Sequence, residues 1–167
     1  AGIALRDTPA PLFRLLVLSL LCSAPISTAV ATRTARELFD AGWTTPDRLR
    51  ASTWQQRVDA LGRGGYRRYD ESTARYLDQL GARVNEAYRG DLRRLRDASE
   101  DPRGVRDALT GFERIGPTGA GIFCREVQGV WPALRPWFDA TALAGAKALG
   151  LPDDPEELAG LVEPASL

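Results

Sequence analysis

Apolar residues recur along this chain at three- and four-residue spacing, and no stretch alternates apolar with polar positions as a half-buried strand does. The first run, Pro11-Leu-Phe-Arg-Leu-Leu-Val-Leu-Ser-Leu-Leu-Cys-Ser-Ala24, reads as a core helix broken at Pro25. Ser27-Thr28 caps a second helix from Ala29 to Phe39, with Val30, Ala35, Leu38 and Phe39 at helical spacing. Thr45-Pro46-Asp47 opens a short helix through Leu49, and Ser52-Thr53 caps another from Trp54 to Leu61, ending at Gly62. The longest predicted helix runs from Asp70 to Tyr88, with Ala74, Leu77, Leu80, Val84 and Ala87 on one stripe, and Gly90 ends it. Gly81 inside it costs roughly 1 kcal/mol relative to alanine. A charged surface helix follows Asp91, with Arg93, Arg94 and Arg96 facing solvent. Asp101-Pro102 caps a helix that runs into Leu109 and Phe112. Beyond a Pro/Trp-rich connector, Ala140 to Leu149 is helical, and Asp153-Asp154-Pro155-Glu156-Glu157 starts one more helix, expected to be cut short. The predicted fold class is all-α.

Length and composition narrow the picture. A chain of 167 residues suffices for one domain with a real core, or for two small helical lobes sharing one. Basic and acidic residues balance at 22 each, so any nucleic-acid binding must come from local charge and from backbone amides. Lys147 is the only lysine; the remaining cations are arginines, which suit phosphate forks. No histidine is present, which removes the usual neutral-pH base and the commonest metal ligand. Cys22 and Cys124 lie within apolar helical runs and read as buried thiols, without zinc or cluster spacing. No metal and no cofactor is expected. The first apolar run is signal-peptide-like, but it is too short to span a bilayer and is read as a core helix. The expectation is a cytoplasmic protein without membrane attachment, nucleoid-associated if bacterial. The start at Ala1 and the stop at Leu167 suggest truncation at both ends.

The informative stretch is Leu109 to Asp139. An apolar helix end is followed by a tight turn, Arg114-Ile115-Gly116-Pro117, and then by a second helix beginning Thr118-Gly119-Ala120-Gly121. Gly116 can adopt a positive φ, and Pro117 suits the first turn of a helix. The amides of Gly116, Thr118, Gly119 and Ala120 would then form a partly positive edge that suits a phosphate. The small residues Gly119, Ala120 and Gly121 let two helices, or a helix and a DNA backbone, come close. A second stretch, Gly64-Gly65-Tyr66-Arg67-Arg68-Tyr69, interleaves aromatics with cations. Either Tyr66, Arg67 and Arg68 clamp DNA, or the tyrosines pack and the arginines stay solvated.

The helix–tight turn–helix followed by Phe138-Asp139 resembles the hairpin-plus-aspartate core of the endonuclease III-like (helix-hairpin-helix, HhH-GPD) DNA glycosylases. The resemblance covers Pro11 to Leu161 in order, with Asp139-Ala140-Thr141 and Leu149-Gly150-Leu151 matching the segment after the hairpin. It implies one two-lobed helical domain over 1–167. A helical lobe would span 8–110, the hairpin 109–128, and a connector with a partial second lobe 129–167. It also implies double-stranded DNA as partner, with a flipped nucleotide in a cleft. Asp139 would be the catalytic carboxylate, and Arg114, Gly116, Thr118, Gly119, Ala120, Tyr66, Arg67 and Arg68 would lie on the DNA face. By its own residues, Asp139 reads first as the N-cap of the helix beginning at Ala140, and both roles are compatible.

Departures from that pattern restrict the chemistry. Thr118 stands where bifunctional members carry a lysine, and a hydroxyl cannot form an imine, so strand scission by a lyase step is not expected. Arg114 replaces the first hairpin glycine, and no intercalating amide stands near Ala24-Pro25. The expectation is a monofunctional N-glycosylase. The alternatives are a DNA-binding module that has lost the chemistry, and a helical protein-interaction domain.

Overall fold

The computed structural model describes residues 1–161. All regular elements among them are helical, and none is a strand. They are α1 (Pro9–Cys22), α2 (Thr28–Asp40), α3 (Pro46–Arg50), α4 (Trp54–Gly64), α5 (Asp70–Tyr88), α6 (Arg93–Asp97), α7 (Pro102–Thr110), α8 (Pro117–Val127), a 3-10 turn at Pro132–Leu134, α9 (Ala140–Ala148) and α10 (Pro155–Ala159). α1 is apolar nearly all round, which is the signature of a helix enclosed by others. It packs on α2, α5 and α8, and Leu12, Phe13, Leu16 and Leu21 are wholly shielded from solvent. No helix among the described residues is long and apolar enough to cross a membrane.

The helix starts follow side-chain capping. The Ser27 hydroxyl accepts from the Val30 amide at 3.3 Å, and Asp101 accepts from Gly104 at 2.7 Å. Thr53 and Gln56 form a reciprocal capping box, with bonds of 3.1 and 2.8 Å. The end of α4 differs from expectation. It continues past Gly62 to Gly64 and turns at Gly65, whose φ of 93° is left-handed. The cause is packing: α2 crosses α4 so closely that a β-carbon on Gly64 would lie 2.7 Å from the Thr34 Cβ. Arg33 seals the crossing by donating from Nε to the Gly64 carbonyl at 2.8 Å.

Two arginines act as internal ties. Arg57, 5% exposed, donates to the carbonyls of Ser52 (2.8 Å) and Ala74 (3.0 Å), joining α3, α4 and α5. Its Nη2 lies 3.5 Å from an Asp78 carboxylate oxygen, which leaves the guanidinium both paired and hydrogen-bonded. Arg96 corrects the reading of α6 as merely solvated. It bonds Asp7 at 2.9 Å and Asp97 at 2.8 Å, and its guanidinium carbon stands 5.3 Å from the centroid of the Trp131 ring. Arg93 likewise grips Asp91, at 2.7 Å. Asp7 also accepts from the Trp131 indole at 2.8 Å, so the segment before α1 is fastened to the connector after α8. Nothing in the spacing of Asp7 along the sequence announces that role.

Past the connector the packing thins. α9 buries only Ala146, while Leu149, Leu151 and Leu161 are exposed. α10 buries no residue. The residues beyond Leu161, which complete the partial second lobe assigned to 129–167, lie outside the described residues.

Candidate nucleic-acid interface

α7 and α8 pack against each other around the turn at 111–116, with Leu109, Phe112 and Ile115 buried beneath it. The turn's geometry corrects the expectation for Gly116, which has φ −84° and ψ −173°, extended backbone open to any residue. The left-handed residue is Arg114, at φ 66°. A non-glycine residue there costs roughly 1–2 kcal/mol. The turn therefore takes its positive φ at Arg114, two residues before the expected Gly116. Pro117 occupies the first position of α8 and has no N–H to leave unpaired.

The amide edge is shorter than expected. The Ala120 N–H donates to the Gly116 carbonyl at 3.0 Å and is not available. The N–H groups of Gly116, Thr118 and Gly119 have no backbone acceptor outside their own helix among the described residues, and no side chain caps α8. Of these, Thr118 is exposed and Gly116 half-buried. Gly119 and Ala120 are buried, so neither offers a side-chain position to DNA. Gly119 is the point where α8 meets α1: a β-carbon there would lie 3.0 Å from the Ser19 carbonyl oxygen and closer still to the Ser23 hydroxyl. Of the two close approaches open to these small residues, the structure uses helix against helix.

Asp139 sits at the N-terminus of α9, as expected. One carboxylate oxygen accepts from the Ala142 amide at 2.8 Å, and the other lies 3.3 Å from Arg125 Nη1 on α8. A third of its side chain remains exposed. It lines a cavity of about 280 Å³ with Thr118, Gly121, Arg106 and Trp137. The Trp137 indole N–H is buried without an acceptor among the described residues. Gln128 holds the Trp137 backbone from both sides, accepting from its N–H at 2.9 Å and donating to its carbonyl at 3.1 Å. The cavity is therefore lined by a carboxylate and Arg106, with Arg125 beside the carboxylate. Neither cysteine belongs to it; burial pushes the Cys124 thiol up to about 12.

A larger groove of about 870 Å³ lies on the other side of the turn, between α5 and residues 110–116. Gln79, Arg83, Glu113, Arg114 and Gly116 line it, and it shares no lining residue with the Asp139 cavity. Arg114 extends from its left-handed backbone to stack on Tyr76, with its guanidinium carbon 5.4 Å from the ring centroid.

The second sequence stretch divides. Tyr66 is 2% exposed, and its hydroxyl donates to the Leu21 carbonyl at 3.2 Å, so it belongs to the core and not to a DNA face. The cause is the Gly64–Gly65 turn, which folds Tyr66 back under α1. Arg67 and Arg68 are exposed, Arg68 resting on the Tyr69 ring at 5.5 Å. The structure thus joins Asp139 with Thr118, and Arg114 with Gly116, in two separate hollows.

No protein-family model, no curated protein and no solved structure matches this chain.

Proposed function

We propose that this is a DNA-binding protein of the base-excision type, a monofunctional N-glycosylase that hydrolyses the bond between a flipped base and its sugar. The convergence of Asp139 and Thr118 on one cavity beside the hairpin carries the reading. These two positions come from different helices, and the resemblance assigns both to the reacting sugar. At about 280 Å³ the cavity lies just below the roughly 300–1,000 Å³ of drug-sized pockets, so its occupant is a sugar or a single ring. In this reading Gly116 and Thr118 hold a phosphate through their amides. The Asp139 carboxylate stabilises the positive charge that develops on the sugar, or orients the attacking water. Thr118 forms no imine, so no strand cleavage follows. The two-lobed arrangement belongs to the same proposal.

The test is base release from a panel of lesion-bearing duplexes, read as abasic product before and after alkali. Asparagine caps a helix as well as aspartate does, so Asp139→Asn keeps α9 started while removing the charge. Release is expected to fall by about 10²-fold or more. Undiminished release in Asp139→Asn removes the catalytic assignment.

The second reading, DNA binding without excision, is favoured by Arg125, which stands 3.3 Å from the Asp139 carboxylate and occupies one of its oxygens. It predicts salt-sensitive duplex binding with no product on any lesion.

A further inference from the structure

The groove between α5 and the hairpin turn has no part in the cavity chemistry, yet it is the larger hollow and it is lined by cations. Arg83 lies on α5, and its guanidinium carbon stands 5.3 Å from the centroid of Phe112. Arg114 is placed in the same way on Tyr76. Neither has a carboxylate within ion-pair distance among the described residues; what sets these two apart is that each rests on an aromatic ring that lines or borders the same groove. Stacking fixes a guanidinium plane while leaving its edge N–H groups free to donate, the state in which arginine forks a phosphate. The Arg114 backbone is held in a left-handed conformation that disfavours any side chain, so its cation is presented at a cost to the fold.

Geometry gives the groove a direction. Tyr76, under Arg114, and Arg83 are seven residues apart on α5, about 10 Å along its axis. Each step of a duplex strand combines about 3.4 Å of rise along the axis with a turn round it, so a separation of this order is spanned by about one to two phosphate steps, not more. Gln79 lies between them on the same helix and can donate to phosphate or sugar oxygens; Thr110 closes the far wall, its hydroxyl donating to the Asp107 carbonyl at 2.8 Å. Glu113 is the one acidic side chain lining the groove, and it opposes an anion there.

We propose that this groove is a track for the sugar–phosphate backbone of DNA, with Arg83 and Arg114 as its two phosphate contacts. It extends the grip of the hairpin amides along one strand. The proposal rests on the DNA-binding reading above and adds Arg83, to which no role attached from the sequence.

The experiment is fluorescence anisotropy with an undamaged duplex, measured across a salt series on the native chain, Arg83→Gln and Glu113→Gln. Arg83→Gln is expected to weaken binding about tenfold at low salt and to reduce the slope of log K against log salt by about 0.9. Glu113→Gln, at an exposed position that holds nothing together, is expected to tighten binding. An effect of the opposite sign from a neighbouring residue is not something a folding defect in Arg83→Gln produces. If the native chain binds duplex while both variants match it in affinity and slope, the track is refuted and the Asp139 cavity reading stands. If the native chain binds no duplex at all, both fail.

Discussion

Gly119 and Gly121 lie two residues apart in α8, and alanine at each should act in opposite directions. In the interior of a helix, glycine to alanine is worth up to about 1 kcal/mol of stability. At Gly121 nothing lies within 4 Å of the added carbon, so that gain is kept, at about 0.5–1 kcal/mol. At Gly119 the new carbon meets the Ser19 carbonyl oxygen at 3.0 Å and overlaps the Ser23 hydroxyl. The hydroxyl must rotate and surrender its 2.8 Å bond to Ser19, about 1 kcal/mol, while overpacking adds roughly 1–3 kcal/mol. Against a propensity gain of at most about 1 kcal/mol, the net loss is about 1–3 kcal/mol. Urea unfolding followed by circular dichroism measures both, and for a chain of this size each kcal/mol moves the melting temperature by roughly 2–4 °C. Gly119→Ala should therefore melt lower and Gly121→Ala slightly higher than the native chain. The pair also separates fold from site, because Gly121 lines the Asp139 cavity and its methyl group fills part of that space. Gly121→Ala is expected to be more stable and less able to release a base. If Gly119→Ala melts at or above the native temperature, the close approach of α8 to α1 is wrong, and with it the seating of the hairpin.

Two further outcomes follow from the same geometry. Arg114→Gly relieves the left-handed backbone, worth roughly 1–2 kcal/mol, but loses the stack on Tyr76; the melting temperature should hold or rise while duplex affinity falls, and a fall in both would place Arg114 in the core instead. Burial pushes the Asp7 carboxyl up, but bonds from Trp131 and Arg96 outweigh it and hold the group below the usual carboxylate range. A depressed native value means that its contribution is complete above the ordinary carboxylate range and disappears as pH falls through the native value. Melting temperature from pH 5 to pH 2.5 should therefore fall less steeply in Asp7→Asn than in the native chain, and parallel curves would remove Asp7 from the acid response.

The helices were legible because their starts are written in short-range chemistry. Thr53 and Gln56, Asp101 and Asp139 act within three residues of themselves, and α5 begins at Asp70 and ends at Tyr88 as its stripe and Gly90 indicate. What escaped depends on partners far away in the chain. Gly62 looks like a stop, but Thr34 of α2 makes Gly64 the necessary glycine. Gly116 is the natural candidate for a positive φ, yet the turn bends at Arg114, because Ile115 must point inward to the core. Tyr66 has the composition of a surface clamp and is drawn under α1 by a bond to Leu21. For the site, only the resemblance suggested that Asp139 and Thr118 belong together; the spacing of the residues did not. The Arg125 bridge, the Trp137 donor and the Arg83 groove were not legible, since each needs α8, the connector or α5 to be in place first.

Asp139 has one further consequence. The same carboxylate starts α9 and ties it to α8 through Arg125, while α9 itself buries almost nothing. Its two oxygens are thus a rivet at the edge of a loosely seated helix. On the proposed reading, a sugar cation at this carboxylate would compete with Arg125 for it, which would leave the helix held by its cap bond and couple the chemistry to the seating of α9.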